Sequence, residues 1–467
     1  MVKGRLYLGN ISKQSKAEIL SDNSSSLRNY IKFLLPSLVG IGLFLTPVTY
    51  DGKQTIVVGV LANGLMAWLG EMLPLIITII FVLSGLISFV VSVFKPRSLA
   101  SFEFTQEVFN TTWIWLSLRI LGGVLCTMTY LQLGPEWVIS ADTGQVAYID
   151  IAGIILCIIF VANILLPLLT DFGFFEFVGT MISRIFQAIF GLPGRASLDA
   201  LTSWIGDSSI GTILTIRQYE SGHYSAREAA VVVTNFSAVS LPFTVVIAQT
   251  ASIDDKFVLF YMVVAICGIV AALITPRLPP LSGLANSFYQ REAREAPPQG
   301  PSGSLFRQSL NAALYRAEHA PSVKQQLSIT GRSIFDISFA VLPVAMTIEV
   351  LVLIVYYHTS VLQWISAPMV YVLQILQLPE ADAAAAGTLV GFFDQFIPAI
   401  VSTNIDSPIT RFVLAGLSVT QLIYMAENGL LILRSKIPIS VPQLASIFLI
   451  RTIIVLPILS VAAHLIY

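Results

Sequence analysis

Nine stretches of apolar, nearly uncharged residues recur along the chain, near 30–48, 72–94, 112–133, 148–170, 228–249, 257–276, 333–357, 411–433 and 441–466. About twenty such residues span the hydrocarbon core of a bilayer as a helix. Inside that core every backbone N–H and C=O must find a partner within the protein, which a helix provides on its own. Charged residues make up 11% of the 467-residue chain and hydrophobic residues 55%. Soluble domains carry roughly 25% charge, and no partition of this chain into soluble domains supplies the missing share. The expected fold is an all-α polytopic membrane protein with about nine to eleven transmembrane helices.

Charge placement narrows the partners. The net charge of −1 gives no basic footprint for nucleic acid, so the expected surroundings are the lipid bilayer. Cys126, Cys157 and Cys267 lie inside apolar runs without a CxxC pair, which points to helix packing and to no disulfide framework. No small-residue cleavage site follows the first apolar run, so that run is expected to stay in the mature protein. Arg28, Lys32, Lys95, Arg97, Arg434 and Lys436 flank the spans; retention of basic residues on the inner side predicts a cytoplasmic N-terminus in a bacterial inner membrane.

Five regions follow: a cytoplasmic N-terminal segment, 1–28; N-terminal transmembrane helices, 29–147; a first repeat, 148–276; a cytoplasmic linker, 277–332; and a second repeat with the C-terminal helix, 333–467. The linker holds Pro297, Pro298 and Pro301 beside Gly300 and Gly303, and one surface helix is expected near 304–319. Within the repeats, 192–216 and 379–402 are broken by Pro, Gly and acidic residues and predict two re-entrant hairpins. Arg184, Arg195, Arg217 and Arg227 surround the first and place both of its ends on the cytoplasmic side; the second enters from the opposite side. Leu192-Pro193 matches Leu378-Pro379, Asp207 matches Asp394, and Arg227 matches Arg411, at offsets of 186, 187 and 184 residues. Inverted-topology repeats with discontinuous helices are the sequence signature of alternating-access transporters.

Broken helices leave backbone groups that persist in a bilayer only where they line a cavity or bind something polar. Candidate contacts for substrate or ion are therefore Ser203, Asp207, Ser208 and Ser209 in the first hairpin, and Asp394 and Gln395 in the second. Span 228–249 adds Thr234 and Asn235, with Pro242 loosening its backbone. Span 411–433 adds Gln421, Glu427 and Asn428, which with Tyr424 are expected on one broad helical face. Arg195 and Asp199, at i and i+4, are expected to pair. Asp394 has an alternative role in holding a helix N-terminus. Arg119 and Glu71 are isolated charges without an assigned role. No nucleophile–base pair is visible, so no catalytic residue is assigned and no enzyme is expected; no metal ligand set and no cofactor are assigned, and a coupling Na⁺ or H⁺ is the expected ion.

The segments Phe190-Gly191-Leu192-Pro193-Gly194-Arg195, Trp204-Ile205-Gly206-Asp207-Ser208-Ser209 and Arg217 through Ala230 together resemble the YjiH family of bacterial inner-membrane proteins, which carry the nucleoside recognition, or Gate, domain. The resemblance extends from about residue 28 to the C-terminus. It implies a core related to concentrative nucleoside transporters, with two oppositely oriented hairpins. The expected function is secondary transport of a small polar solute, nucleoside-, amino-acid- or peptide-like. The alternative is a non-transporting membrane subunit that assembles with another Gate-domain protein; a homo-oligomer is the other assembly in view.

Overall fold

The structure is a computed structural model that describes residues 27–95, 103–206, 208–289 and 304–467. Most of the N-terminal segment, the Pro-rich part of the linker and Asp207 lie outside the described residues. Seven helices among them are long and apolar enough to cross a membrane: α1 (Met72–Phe94), α2 (Trp113–Leu131), α3 (Glu136–Thr170), α4 (Asp254–Arg277), α5 (Val323–His358), α6 (Pro408–Arg434) and α7 (Val441–Ile466). The protein is thus a multi-pass helical membrane protein. Its most hydrophobic face points outward on α4, where Met262, Ile266 and Ile269 are exposed as lipid-facing side chains are.

Two expected spans differ from this set. The run at 30–48 forms a helix, Leu27–Phe44, whose first turns carry Arg28, Asn29 and Lys32 and lower its mean hydropathy. The run at 228–249 is not one helix but two of ten residues, Ala226–Asn235 and Leu241–Thr250. The chain unwinds at 236–240, just ahead of Pro242, because proline heads a helix more readily than it continues one. An antiparallel strand pair, Pro47–Tyr50 with Lys53–Ile56, also breaks the all-helical expectation. Asp51 and Gly52 between the strands both have positive φ, the geometry a two-residue hairpin turn demands.

Burial sorts the helices. In α6, 78% of the most apolar window is buried, against 33 to 50% in the other six, so α6 runs through the centre. The N-terminal helices are fastened by Arg119, the charge without an assigned role. It is buried on α2 and donates to Ser88 Oγ of α1, to the Val108 carbonyl and to the Ala340 carbonyl of α5. Removing a guanidinium from water is tolerable because several of its donors find oxygen.

The surface helix expected in the linker forms at Leu305–Glu318, opened by a Ser304 cap. It docks through Arg316, which lies 2.6 Å from Asp171 and 3.5 Å from Glu176, and through an edge contact of Phe306 with Phe177. Burial pushes the Asp171 carboxyl above its ordinary range and Arg316 draws it back. Asp171 and Glu176 thereby anchor the linker helix.

Candidate functional site

The first interrupted segment folds as a helix, Ala196–Leu201, continued by a wide turn through Gly206, and a second helix, Ser208–Glu220. Thr215 on the second arm donates to Asp199 on the first at 3.0 Å. Gly211 packs so closely on Ser203 that no side chain fits between them. Both pairs straddle position 207 symmetrically, so the two arms run antiparallel. Asp199 also accepts from Tyr224 at 2.9 Å, while Arg195 turns to Gln218. The expected Arg195–Asp199 pair is therefore replaced by hydroxyl donors, since buried Asp199 points inward and Arg195 outward.

The second segment repeats this plan. Helix Ala381–Val390 and helix Ile397–Ser402 pack through Gly387 on Val401 and Gly391 on Pro398, pairs that straddle position 394. Asp394 accepts from the Phe396 amide at 2.8 Å, an Asx-type turn just ahead of the second arm, whose own N-cap is Phe396. The contacts within the two segments thus centre on sequence positions about 187 residues apart.

Each repeat also carries a broken helix. The first is broken at 236–240; the second, α6, is helical over Pro408–Thr420, unwinds, and resumes through a wide turn at Met425–Gly429. Leu422 in this break has φ of 63°, a conformation L-residues adopt only when the surroundings hold them there. The unwound chain gains partners from the second hairpin: the Met425 amide donates to the Phe392 carbonyl at 2.8 Å and the Ala426 amide to Phe393 at 3.0 Å. Gln421 donates to the Thr388 carbonyl and to Thr452. The first hairpin meets α6 one turn later, where the Glu427 carboxylate accepts from Ser208 at 3.2 Å and from Ser209. Thr212 bridges Ser237 at the first break and Asn428 at the second.

The expected residues therefore divide. Ser208, Ser209, Glu427 and Asn428 come together between the hairpin and α6, and Asp394 and Gln395 line the cavity opposite. Ser203 bonds within its own arm, and Thr234 bonds the Ala230 carbonyl. Gln421, Tyr424, Glu427 and Asn428 do not share one helical face, because the unwinding sends Tyr424 back to the Ser418 carbonyl. Asn235 accepts from Arg451 at 2.7 Å. Arg451 and Glu349, both fully buried in the core, are the residues that sequence reading missed.

These parts enclose a cavity of about 430 Å³, within the range of small-molecule sites. Ser209 from the first hairpin, Asp394 and Gln395 from the second, Ser240 and Phe243 from the first broken helix and Glu427 from α6 all line it. Ile155, Ile158 and Leu342 supply apolar walls, and Arg434, Ser333 and Asp336 also contribute. Gln395 is buried with its side-chain oxygen unbonded among the described residues. Among those residues no group of three or more His, Cys, Asp or Glu side chains is placed to hold a metal.

Seven membrane-length helices around this cavity define the class, a multi-pass helical membrane protein. The Gate family, described as nucleoside recognition, matches residues 152–254, which contain the first hairpin and the first broken helix. A protein of Alkalihalophilus pseudofirmus, described as uncharacterized, is 38% identical over 452 residues, covering 97% of this chain and 98% of that one. The chain belongs to the same family as that protein. No solved structure matches the chain.

Proposed function

We propose that this protein is a secondary transporter that carries a small polar solute across a bacterial inner membrane by alternating access. The observation that carries the reading is the central cavity, lined at once by both hairpins and both broken helices. A site built of parts from two repeats changes its exposure when one repeat rocks against the other, without a new site being formed. The breaks at 236–240 and 421–424 recur at the offset that relates Arg227 to Arg411, so the repeat includes the discontinuous helices as well as the hairpins. In this reading the hairpins are re-entrant and the N-terminus is cytoplasmic. Arg434 then marks the cytoplasmic mouth of the cavity.

The lining suits a solute with both an apolar or ring portion and several hydrogen-bonding groups. Asp394 and Glu427 accept from amine or hydroxyl donors, Gln395, Ser209 and Ser240 serve either role, and Phe243 and the isoleucines cover the remainder. Nucleosides, amino acids and dipeptides share that description, and the Gate match favours nucleosides.

The test is a thermal-shift screen of the purified full-length protein against those three classes, followed by uptake of each hit into proteoliposomes. A ligand at a hundred times its Kd stabilises the folded state by about 2.7 kcal/mol, so a true solute raises the apparent melting temperature, and the protein alone accumulates it. Solute binding without uptake unless a second membrane protein is added would replace this reading with that of a subunit.

A further inference from the structure

We propose that a second, basic cavity at the Arg277 end of α4 seats the phosphate headgroup of an anionic phospholipid. It is separate from the central cavity and does not depend on the transporter reading.

The segment Arg217 through Ala230, which contributes nothing to the central cavity, supplies one wall. Ser225 caps the helix Ala226–Asn235, and the Glu228 carboxylate accepts from the Ser225 amide at 2.7 Å. The chain that follows α4 closes over this end. The Ala226 amide donates to the Ser287 carbonyl at 2.8 Å, and Ser225 pairs with Phe288 as an antiparallel bridge. Between these parts lies a cavity of about 360 Å³, large enough for a small ligand. Arg227, Arg277 and Asn286 line it on the polar side, and Phe190, Leu192 and Phe288 on the apolar side.

The cavity is rich in positive charge that no carboxylate answers. Neither Arg227 nor Arg277 has an acidic group within ion-pair distance among the described residues. Glu228 also lines the cavity, but it is committed to the Ser225 amide. Arg227 Nη2 donates to the Pro276 carbonyl at 3.3 Å and Arg277 Nη1 to the Leu273 carbonyl, so the last turns of α4 hold both side chains at one place. A guanidinium has five N–H donors, and most of them are left for a ligand. Their planar fork matches the paired oxygens of a phosphate.

The membrane-facing surface singles out a lipid as the source of that phosphate. Leu259, Met262, Ile266 and Ile269 of α4 are exposed and recur every three or four residues, which makes one stripe. Leu273 and exposed Arg277 continue the same spacing to the end of the span. On the opposite side, Ile185 and Ile189 are exposed on the helix Phe174–Phe190, which ends at the cavity. Acyl chains lying along these rows bring their phosphates to the level of Arg277, with Phe190 and Phe288 against the glycerol end. Basic pockets between transmembrane helices are suited to anionic headgroups for this reason.

The test is native mass spectrometry of the delipidated full-length protein, titrated with phosphatidylglycerol, phosphatidylcholine and glycerol 3-phosphate. An arginine near a lipid phosphate is worth about a fivefold change in affinity, so phosphatidylglycerol is expected to bind about tenfold or more tightly than phosphatidylcholine. Arg227→Gln and Arg277→Gln are each expected to weaken phosphatidylglycerol about fivefold and to leave phosphatidylcholine unchanged. Arg277→Lys, which keeps the charge, is expected to restore part of the loss. Lys324→Gln removes an exposed cation outside the cavity and is expected to change nothing. The comparison of the two lipids on wild-type protein answers the question even where a variant fails to fold. Equal binding of both lipids, a preference that survives both arginine substitutions, or its loss in Lys324→Gln would each overturn the site. Glycerol 3-phosphate binding as tightly as phosphatidylglycerol would overturn the lipid assignment in favour of a soluble phosphate ester.

Discussion

Replacing Glu427 with alanine is expected to lower initial-rate solute uptake in proteoliposomes about a hundredfold or more. Its carboxylate accepts from Ser208 and Ser209 and lines the cavity, so in the proposed transporter it would both meet the solute and hold the first hairpin in place. Hydrogen bonds to a charged group are worth about 1.5–3 kcal/mol each, and 1.4 kcal/mol is a factor of ten. Loss of two such bonds gives the hundredfold figure. Glu427→Gln keeps one good acceptor oxygen and is expected to retain roughly a tenth of the wild-type rate, which corresponds to about 1.4 kcal/mol. Thermal shift by the solute, measured on the same variants, separates lost binding from lost movement. Wild-type uptake and solute shift in Glu427→Ala would remove this residue from the site.

Arg451→Leu is expected to destabilise the protein by about 3 kcal/mol, read as a lower apparent melting temperature in detergent. Arg451 is 0% exposed. Its Nη2 and Nε reach the Thr420 carbonyl at 2.7 and 3.2 Å, and its Nη1 reaches Asn235 Oδ1 at 2.7 Å. Thr420 and Asn235 end the first helical halves of the two broken helices. At each end the peptide dipoles leave partial negative charge, and one guanidinium from α7 answers both. Leucine fills some of the volume but leaves two buried acceptors without donors, each costing about 1–3 kcal/mol. Arg451→Lys keeps the charge without the planar fork and is expected to fall between leucine and wild type. A melting temperature unchanged by both substitutions would show that the breaks are held by other contacts.

The parts legible in the sequence were those with a pattern. Long apolar runs announced six of the seven membrane-length helices directly, and the seventh, α6, was announced as one run. The Pro- and Gly-interrupted segments marked both helical pairs as units, and the surface helix expected near 304–319 in the linker is found at Leu305–Glu318. The breaks were partly legible: Pro242 pointed to weakness in the first, but nothing at Gln421 to Tyr424 signals that α6 unwinds there, because the partners that hold it open lie about thirty residues earlier in the second hairpin. Glu349 and Arg451 escaped for a related reason. Each is an isolated charge in an apolar run, Glu349 in Leu342–His358 and Arg451 in α7, with no spacing partner, and the partners of Arg451 lie 31 and 216 positions away at Thr420 and Asn235. Ser203 and Thr234 return their hydroxyls to the carbonyl four residues back, as hydroxyls in helices commonly do.

Alternating access is most directly tested at Ala426, whose side chain lines the cavity and whose amide is tied to the second hairpin. The three native cysteines are buried, so Ala426→Cys offers one accessible thiol for a membrane-impermeant maleimide. In vesicles of defined orientation this thiol is expected to react from the cytoplasmic face without solute, and from the opposite face in a fraction that rises when solute is added. Reaction from one face alone, with and without a solute that the variant still transports, would contradict a single cavity that opens in turn to the two sides.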